Sequence, residues 1–301
     1  MNAIELTLDQ LLAAGALLDN PKGPLSLWKA EKAPGTRRLS HPELVSSAGG
    51  LLPEIRPALT TLADPAFLTR ITLLSGERLM DTVIYQPQDP LELPVVRLDE
   101  REGSLSLVSP ADLPDLLLDM LTLIAPSSED AQPWECDVTL NEALVLWAAL
   151  DGLRDGQETL PDAAVLAVHI SQPMETLANL AAYAREMLNL IAPSKREVGH
   201  AIAGLAQRGL LSDDGTHVKP ALAGVAADLF PLTGHLRVES KAAPDGEVLE
   251  SRVAFLQGPE GAGLLWYEIH GEVHFQRIST AAALAVVEMT LFEPWTMFAP
   301  A

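Results

Sequence analysis

The sequence predicts an α+β fold built as two tandem pseudo-symmetric repeats, each with helices plus a four-stranded antiparallel sheet, and a winged-helix-like unit in the second half. Three observations predict it. First, short segments recur in the same order. Thr7–Leu12 returns as Thr139–Leu144, Gly50-Leu51-Leu52 as Gly209-Leu210-Leu211, and Pro57-Ala58-Leu59 as Pro220-Ala221-Leu222. Gly103–Leu107 then returns as Gly271–Phe275, and Leu116–Met120 as Leu284–Met289 with one slip. Second, each half carries four strand candidates in succession, closed by a helix; neighbouring strands joined by short turns pair antiparallel, and helices must cover one face. Third, the chain is 48% hydrophobic but only 5% aromatic, so its apolar mass is Leu, Ala and Val. That composition suits helices packed on a modest sheet. The boundaries are a first repeat over 1–126, a polar linker over 127–133, and a second repeat with an extra helix over 134–301.

The first helix opens on a capping box. Thr7 is placed to accept from the backbone of Gln10, and Gln10 to reach back to Thr7. Leu8, Leu11, Leu12, Leu17 and Leu18 follow at roughly helical spacing. Asn20 to Pro24 breaks the chain. Trp28 to Pro42, with Lys29, Lys32, Arg37 and Arg38, is the densest basic segment and reads as a loop. His41 to Leu52 reads as a helix, and a shorter one ends near Asp64-Pro65. Strands are expected at Phe67–Leu74, Leu79–Tyr85, Leu93–Leu98 and Ser104–Val108, the last with strict period-two alternation. Ser109 to Asp112 opens the closing helix, whose face includes Leu113, Leu116, Leu117, Met120 and Leu121.

The second half restarts with a capping box at Thr139 and Glu142. A helix is expected over Met174–Ile191 and another from Ser194 to the Gly209 stop. Strands follow at Leu236–Ser240, Glu250–Leu256, Leu264–Ile269 and Glu272–Arg277, with a tight turn at Ile269-His270-Gly271-Glu272. Ser279–Leu291 is the closing helix. The aromatic tail Phe292–Phe298 reads as a strap across the core, with an exposed partner-binding tail as the alternative.

Acidic residues outnumber basic ones 41 to 20, a formal charge of −21. Such a field repels phosphate backbones and anionic membranes, so nucleic acid is a disfavoured partner. The apolar runs stop well short of the roughly 20 residues a membrane span needs, and no secretory leader is visible. A cytoplasmic protein with no membrane insertion is expected. Cys136, the single cysteine, reads as a small buried apolar residue rather than a reactive thiol.

The strongest local motif is Ser194 to Leu211 followed by the polar turn Ser212–Pro220. It looks like the recognition helix and wing of a winged-helix regulator, a module that sets such a helix in the DNA major groove. Lys195, Arg196, His200 and Arg208 would be its contacts. Asp213 and Asp214 in the wing oppose that use, so a winged-helix-like packing unit without DNA contact is the preferred reading. His270 and His274 have metal-ligand spacing only on a helix, and Gly271 argues for a hairpin there. Glu250, Glu268 and Glu272 read as solvent faces of strands rather than an acid/base pair. Gly258–Gly263 lacks the Lys-Ser/Thr of a phosphate loop. No enzyme, cofactor or metal is expected.

The chain resembles the EspG family, cytoplasmic chaperones of mycobacterial type VII secretion. The resemblance is carried by Ile4–Leu12, by Leu205–Leu211, and by Leu59–Pro65 leading into a strand. It implies two pseudo-symmetric halves, each with a sheet and helices, and no catalysis. It also implies a helical secretion substrate as protein partner, bound by later helices and a loop between the second and third strands of one half. That loop would be Gln86, Pro87, Gln88, Asp89, Pro90 and Leu91 in the first half, or Gln257 to Gly263 in the second.

Overall fold

A computed structural model describes residues 3–19, 22–28, 41–101, 104–124, 133–174 and 177–298. Most of the basic segment after Trp28 and of the expected linker lies outside them. Among the described residues there are nine α-helices and ten strands, and the strands lie in one antiparallel sheet in the order β1 (Ile4–Leu6), β5 (Ser104–Val108), β4 (Val96–Arg101), β3 (Arg78–Gln86), β2 (Phe67–Ser75), β7 (Gly234–Ala242), β8 (Leu249–Gln257), β9 (Ala262–Ile269), β10 (Glu272–Ser279) and β6 (Glu135–Thr139). The chain divides into two compact units: Met1–Ile124 with Leu236–Ser251 and Leu284–Ala301, and Ala125–His235 with Arg252–Ala283.

The first unit begins with β1 (Ile4–Leu6), a strand the sequence reading did not include. It pairs antiparallel with β5 (Ser104–Val108), Leu6 opposite Leu105. Three residues alternating buried, exposed, buried are too few for a periodicity signal. Thr7 then caps α1 (Leu8–Gly15), and both bonds of the capping box are made. The helix expected over 41–52 is absent. Val45 instead bridges to Leu51, and Ser46 N donates to Gly50 O at 2.8 Å. Paired serines and the left-handed Gly49 (φ 83°) favour that turn over a helix interior. α2 (Arg56–Ala63) carries Pro57 in its first turn, where its missing N–H costs nothing.

β2 (Phe67–Ser75) and β3 (Arg78–Gln86) form a long hairpin. β4 (Val96–Arg101) and β5 complete the meander. β4 starts three residues later than expected because Pro94 has no N–H for the ladder; its carbonyl accepts from Thr61 Oγ1 at 2.8 Å instead. α3 (Leu113–Leu123) is capped by Asp112. Most of β7 (Gly234–Ala242), the start of β8 (Leu249–Gln257) and most of α9 (Thr280–Phe292) complete the unit. Its core gathers Leu11, Leu44, Ile55, Leu59, Leu62, Val96 and Leu107.

The second unit begins with β6 (Glu135–Thr139), which pairs with β10 (Glu272–Ser279) as β1 pairs with β5. The segments 1–126 and 134–301 therefore carry five strands each among the described residues, one more than the expected four. α4 (Leu140–Arg154) follows its capping box, and every residue from Glu142 to Asp151 is buried. The run Ala143–Leu150 is apolar on all sides, and a helix of that kind must be covered on all sides. α5 (Ala163–Ser171), α6 (Leu180–Met187), α7 (Lys195–Gln207) and α8 (Pro220–Leu229) surround it. α6 is shorter than the helix expected over 174–191; Asn179 caps it, and Asn189 leaves in the left-handed region (φ 52°). β9 (Ala262–Ile269) and β10 form a hairpin through His270 (φ 52°) and Gly271 (φ 83°), the paired positive φ of a tight two-residue turn. Trp147 packs against Trp266 and Phe275 with ring centroids 5.5 and 5.3 Å apart.

Candidate functional site

β3 delivers the first candidate loop. Gln86 ends the strand and is buried. Its Nε2 donates to Leu291 O at 2.7 Å, and its carbonyl accepts from Ala66 N at 2.9 Å. Pro87 is buried beside it and cannot donate. The chain then emerges: Gln88, Asp89 and Pro90 are exposed, and Leu91 is 95% exposed. Asp89 ties the turn. Its Oδ1 accepts from Leu91 N at 2.8 Å, and its carbonyl from Glu92 N and Leu93 N at 3.2 and 3.1 Å. A lone exposed leucine is ordinary. One held on a self-bonded turn above a buried root is a preorganised knob, and preorganisation lowers the entropy cost of binding.

The second candidate, Gln257 to Gly263, is built differently. Gln257 is buried. Gly258 lies so close to α8 that a Cβ would overlap Asp228 O. Thr233 Oγ1 donates to Gly258 O at 2.8 Å, and Thr280 Oγ1 to Gly261 O at 2.6 Å. The first loop projects an exposed leucine, whereas the second exposes Pro259 and Glu260.

On α7 the box is complete: Ser194 N donates to Glu197 Oε2 at 2.7 Å, and Glu197 N to Ser194 Oγ at 3.3 Å. Lys195, Arg196 and His200 are exposed, while Val198, Ala201 and Leu205 face inward. Arg208 lies at the far end, about 20 Å from Lys195 by helical rise. Its Nε bonds the buried Glu142 Oε2 at 3.2 Å. Arg208, itself exposed, thus also pairs with a buried carboxylate. The following turn is a short ladder, with Leu211 bridged to Val218 and Thr159 to His217. Asp213 is fully exposed. Hydrogen bonds from Ser212 Oγ and from Thr216 lower the Asp214 carboxyl to about 2, so the turn tip is firmly anionic.

His270 and His274 sit on the β9–β10 hairpin, and His274 Nδ1 bonds Asp137 Oδ1 at 2.7 Å. No group of three or more His, Cys, Asp or Glu side chains placed to hold a metal occurs among the described residues. Glu250, Glu268 and Glu272 are all exposed. The Cys136 thiol is pushed up to about 12, chiefly by burial and then by Asp137, so little thiolate exists at neutral pH.

One buried polar cluster escaped sequence reading. Asp151 on α4 is buried and accepts from Leu180 N and Ala181 N at 3.1 and 3.2 Å, at the start of α6. It also meets His169 Nε2 at 3.1 Å and Arg154 at 3.2 Å. The aspartate in the helix Leu140–Arg154 was the available signal, since no aspartate is buried without partners. The aromatic tail, read from the sequence as a strap or a partner-binding tail, folds as a 3-10 turn (Pro294–Phe298) with Trp295 edge-on to Phe67 at 4.5 Å.

These parts define a mixed helix-and-sheet protein with an anchored apolar loop. Among the described residues, no helix is long and apolar enough to cross a membrane. No protein-family model matches the chain, and no curated protein matches its sequence. Its fold is similar to that of a solved structure, the Mycobacterium tuberculosis type VII secretion system chaperone EspG5 in complex with a PE25–PPE41 dimer. The TM-score is 0.50 at 11% identity, over 96% of this chain and 95% of that one. The likeness to the EspG family carried by the sequence is therefore present in the fold.

Proposed function

We propose that the chain is a non-enzymatic, cytoplasmic binding scaffold of the chaperone kind, which holds a helical secretion substrate through Gln86, Pro87, Gln88, Asp89, Pro90 and Leu91. The observation that carries this reading is Leu91, 95% exposed on a turn whose root is buried and bonded. The fold likeness to a secretion chaperone over nearly the whole chain supports it. The architecture proposed is a duplication, 1–126 and 134–301 joined by 127–133. The like pairings of β1 with β5 and β6 with β10, each before a capping box, support that division.

The test is capture of tagged protein from its native host, washed at high salt, with retained material identified by mass spectrometry. A stoichiometric protein partner is expected, and Leu91→Asp should deplete it while leaving the thermal midpoint within about 2 °C, as a solvent-facing substitution should. The second reading, a winged-helix regulator, draws on exposed Lys195, Arg196 and His200 beside the paired turn. Phosphate binding weakens steeply with salt, unlike an apolar interface. Recovery of nucleic acid alone, lost on washing and abolished by Lys195→Glu with Arg196→Glu, would replace the scaffold with that regulator.

A further inference from the structure

α9 breaks a rule that α4 obeys. α9 is apolar but for Thr280, Glu288 and Thr290, and a helix so rich in apolar residues belongs largely under cover. α4 is covered. α9 buries Leu284, Val287 and Leu291. Ala285, Met289 and Phe292 lie on its other side, in a single stripe at the four-then-three spacing of a coiled-coil seam. Met289 is 41% exposed and Phe292 48%, and Trp295 just beyond is 47%. The stripe ends at the candidate loop, because Leu291 O is the acceptor for Gln86.

The charges carried by α9 and the segment after it have one sign. Glu288 borders it, three residues after Ala285 and four before Phe292, and is exposed. The last turn of α9 has no basic residue, so the negative pole of the helix is not offset there. From Ile278 to the last residue the chain holds Glu288 and Glu293 but no Lys or Arg. A second copy would bring the same charge to a molecule already at −21.

We infer that the Ala285–Met289–Phe292 stripe docks an amphipathic helix with an apolar seam and Lys or Arg on its flanks. This rests on the scaffold reading and extends its binding surface from the loop onto α9. The spacing selects a helix, and the sign of the rim selects basic flanks over a second copy.

The test uses the full-length protein and a fluorescein-labelled synthetic helix with Leu at its a and d positions and Lys at e and g. Controls are a scrambled peptide of the same composition and a version with Glu for Lys. Anisotropy should show the seam peptide binding, with both controls and both Met289→Asp and Phe292→Asp weakening it by at least about tenfold, as loss of a central apolar contact does. Glu288→Lys should weaken the Lys-flanked peptide and strengthen the Glu-flanked one. All three substitutions are at exposed positions, and matching circular-dichroism melts confirm folding. Equal binding of seam and scrambled peptides, or unchanged binding by Phe292→Asp, would overturn the inference, while a host partner depleted by Leu91→Asp would leave the scaffold standing. A dimer in sedimentation that Phe292→Asp dissociates would overturn it in favour of self-association.

Discussion

Gly258 and Gly199 are both plain glycines in the sequence, yet the fold treats them oppositely. A Cβ on Gly258 would overlap the backbone carbonyl of Asp228, which cannot swing aside as a side-chain end would. Gly258→Ala should cost about 3 kcal/mol, within the range of overpacked positions. Gly199 sits within α7 with nothing within 4 Å of that position. Gly199→Ala should stabilise by about 0.5–1 kcal/mol through helix propensity. Urea denaturation of the two variants measures both, and effects of like sign would refute the packing argument. Asp214 offers a pH test at the same scale. Its folded value, about 2, lies below the ordinary 3.8 because Ser212 and Thr216 bond the charged form. The bonded turn is thus fully present above 3.8 and is lost as pH falls through about 2. An NMR titration of the Asp214 carboxyl should show that midpoint, and Ser212→Ala should move it upward. A wild-type midpoint near 3.8 would remove the turn's bonds from the account.

At the scale of elements, Asp151 is the member with the most to lose. Its buried carboxylate joins α4 to the first N–H groups of α6, to His169 on α5 and to Arg154. Asp151→Ala leaves those donors without their acceptor and should cost about 3–5 kcal/mol, the usual range for breaking a buried charged network from one side. A loss below about 1 kcal/mol in urea denaturation would mean that water replaces the carboxylate. Elements with local signals were legible beforehand. Capping boxes at Thr7, Thr139 and Ser194 mark helix starts because side chain and backbone satisfy each other within four residues. The Ile269–Glu272 turn is legible because Gly271 supplies a positive φ cheaply. β1 and β6 were not legible, because their partners lie far along the chain, Leu6 opposite Leu105 and Thr139 opposite Glu272. The 41–52 segment was misread because Leu44, Val45, Leu51 and Leu52 suit either a helix or a bridged turn, and the glycines and serines decided for the turn.

For the whole molecule, charge is the dominant fact. With 41 acidic and 20 basic residues, self-repulsion opposes the folded state. Sodium chloride should therefore raise the thermal midpoint by several degrees between about 10 mM and about 0.5 M, over which the screening length shrinks to a few ångström. Calorimetry checks this, and a midpoint that falls with salt would show that attractive pairs outweigh the excess charge. The candidate loop, Gln86–Leu91, was marked by the resemblance, but its quality was not legible. Nothing in six residues says that Gln86 is fastened to Leu291, or that the turn leaves Leu91 bare. The stripe on α9 was hidden for a related reason, since a helix apolar at nearly every position reads alike whether covered or not. By itself the sequence determined the mixed fold class, the helix starts at Thr7, Thr139 and Ser194, most of the strands and the sign of the field, all of which follow from neighbouring residues or from sums over the chain. Strand partners, the commitment of Arg208 to Glu142, and which apolar residues stay in solvent were decided only by tertiary structure, because burial and pairing belong to residues brought together from far apart.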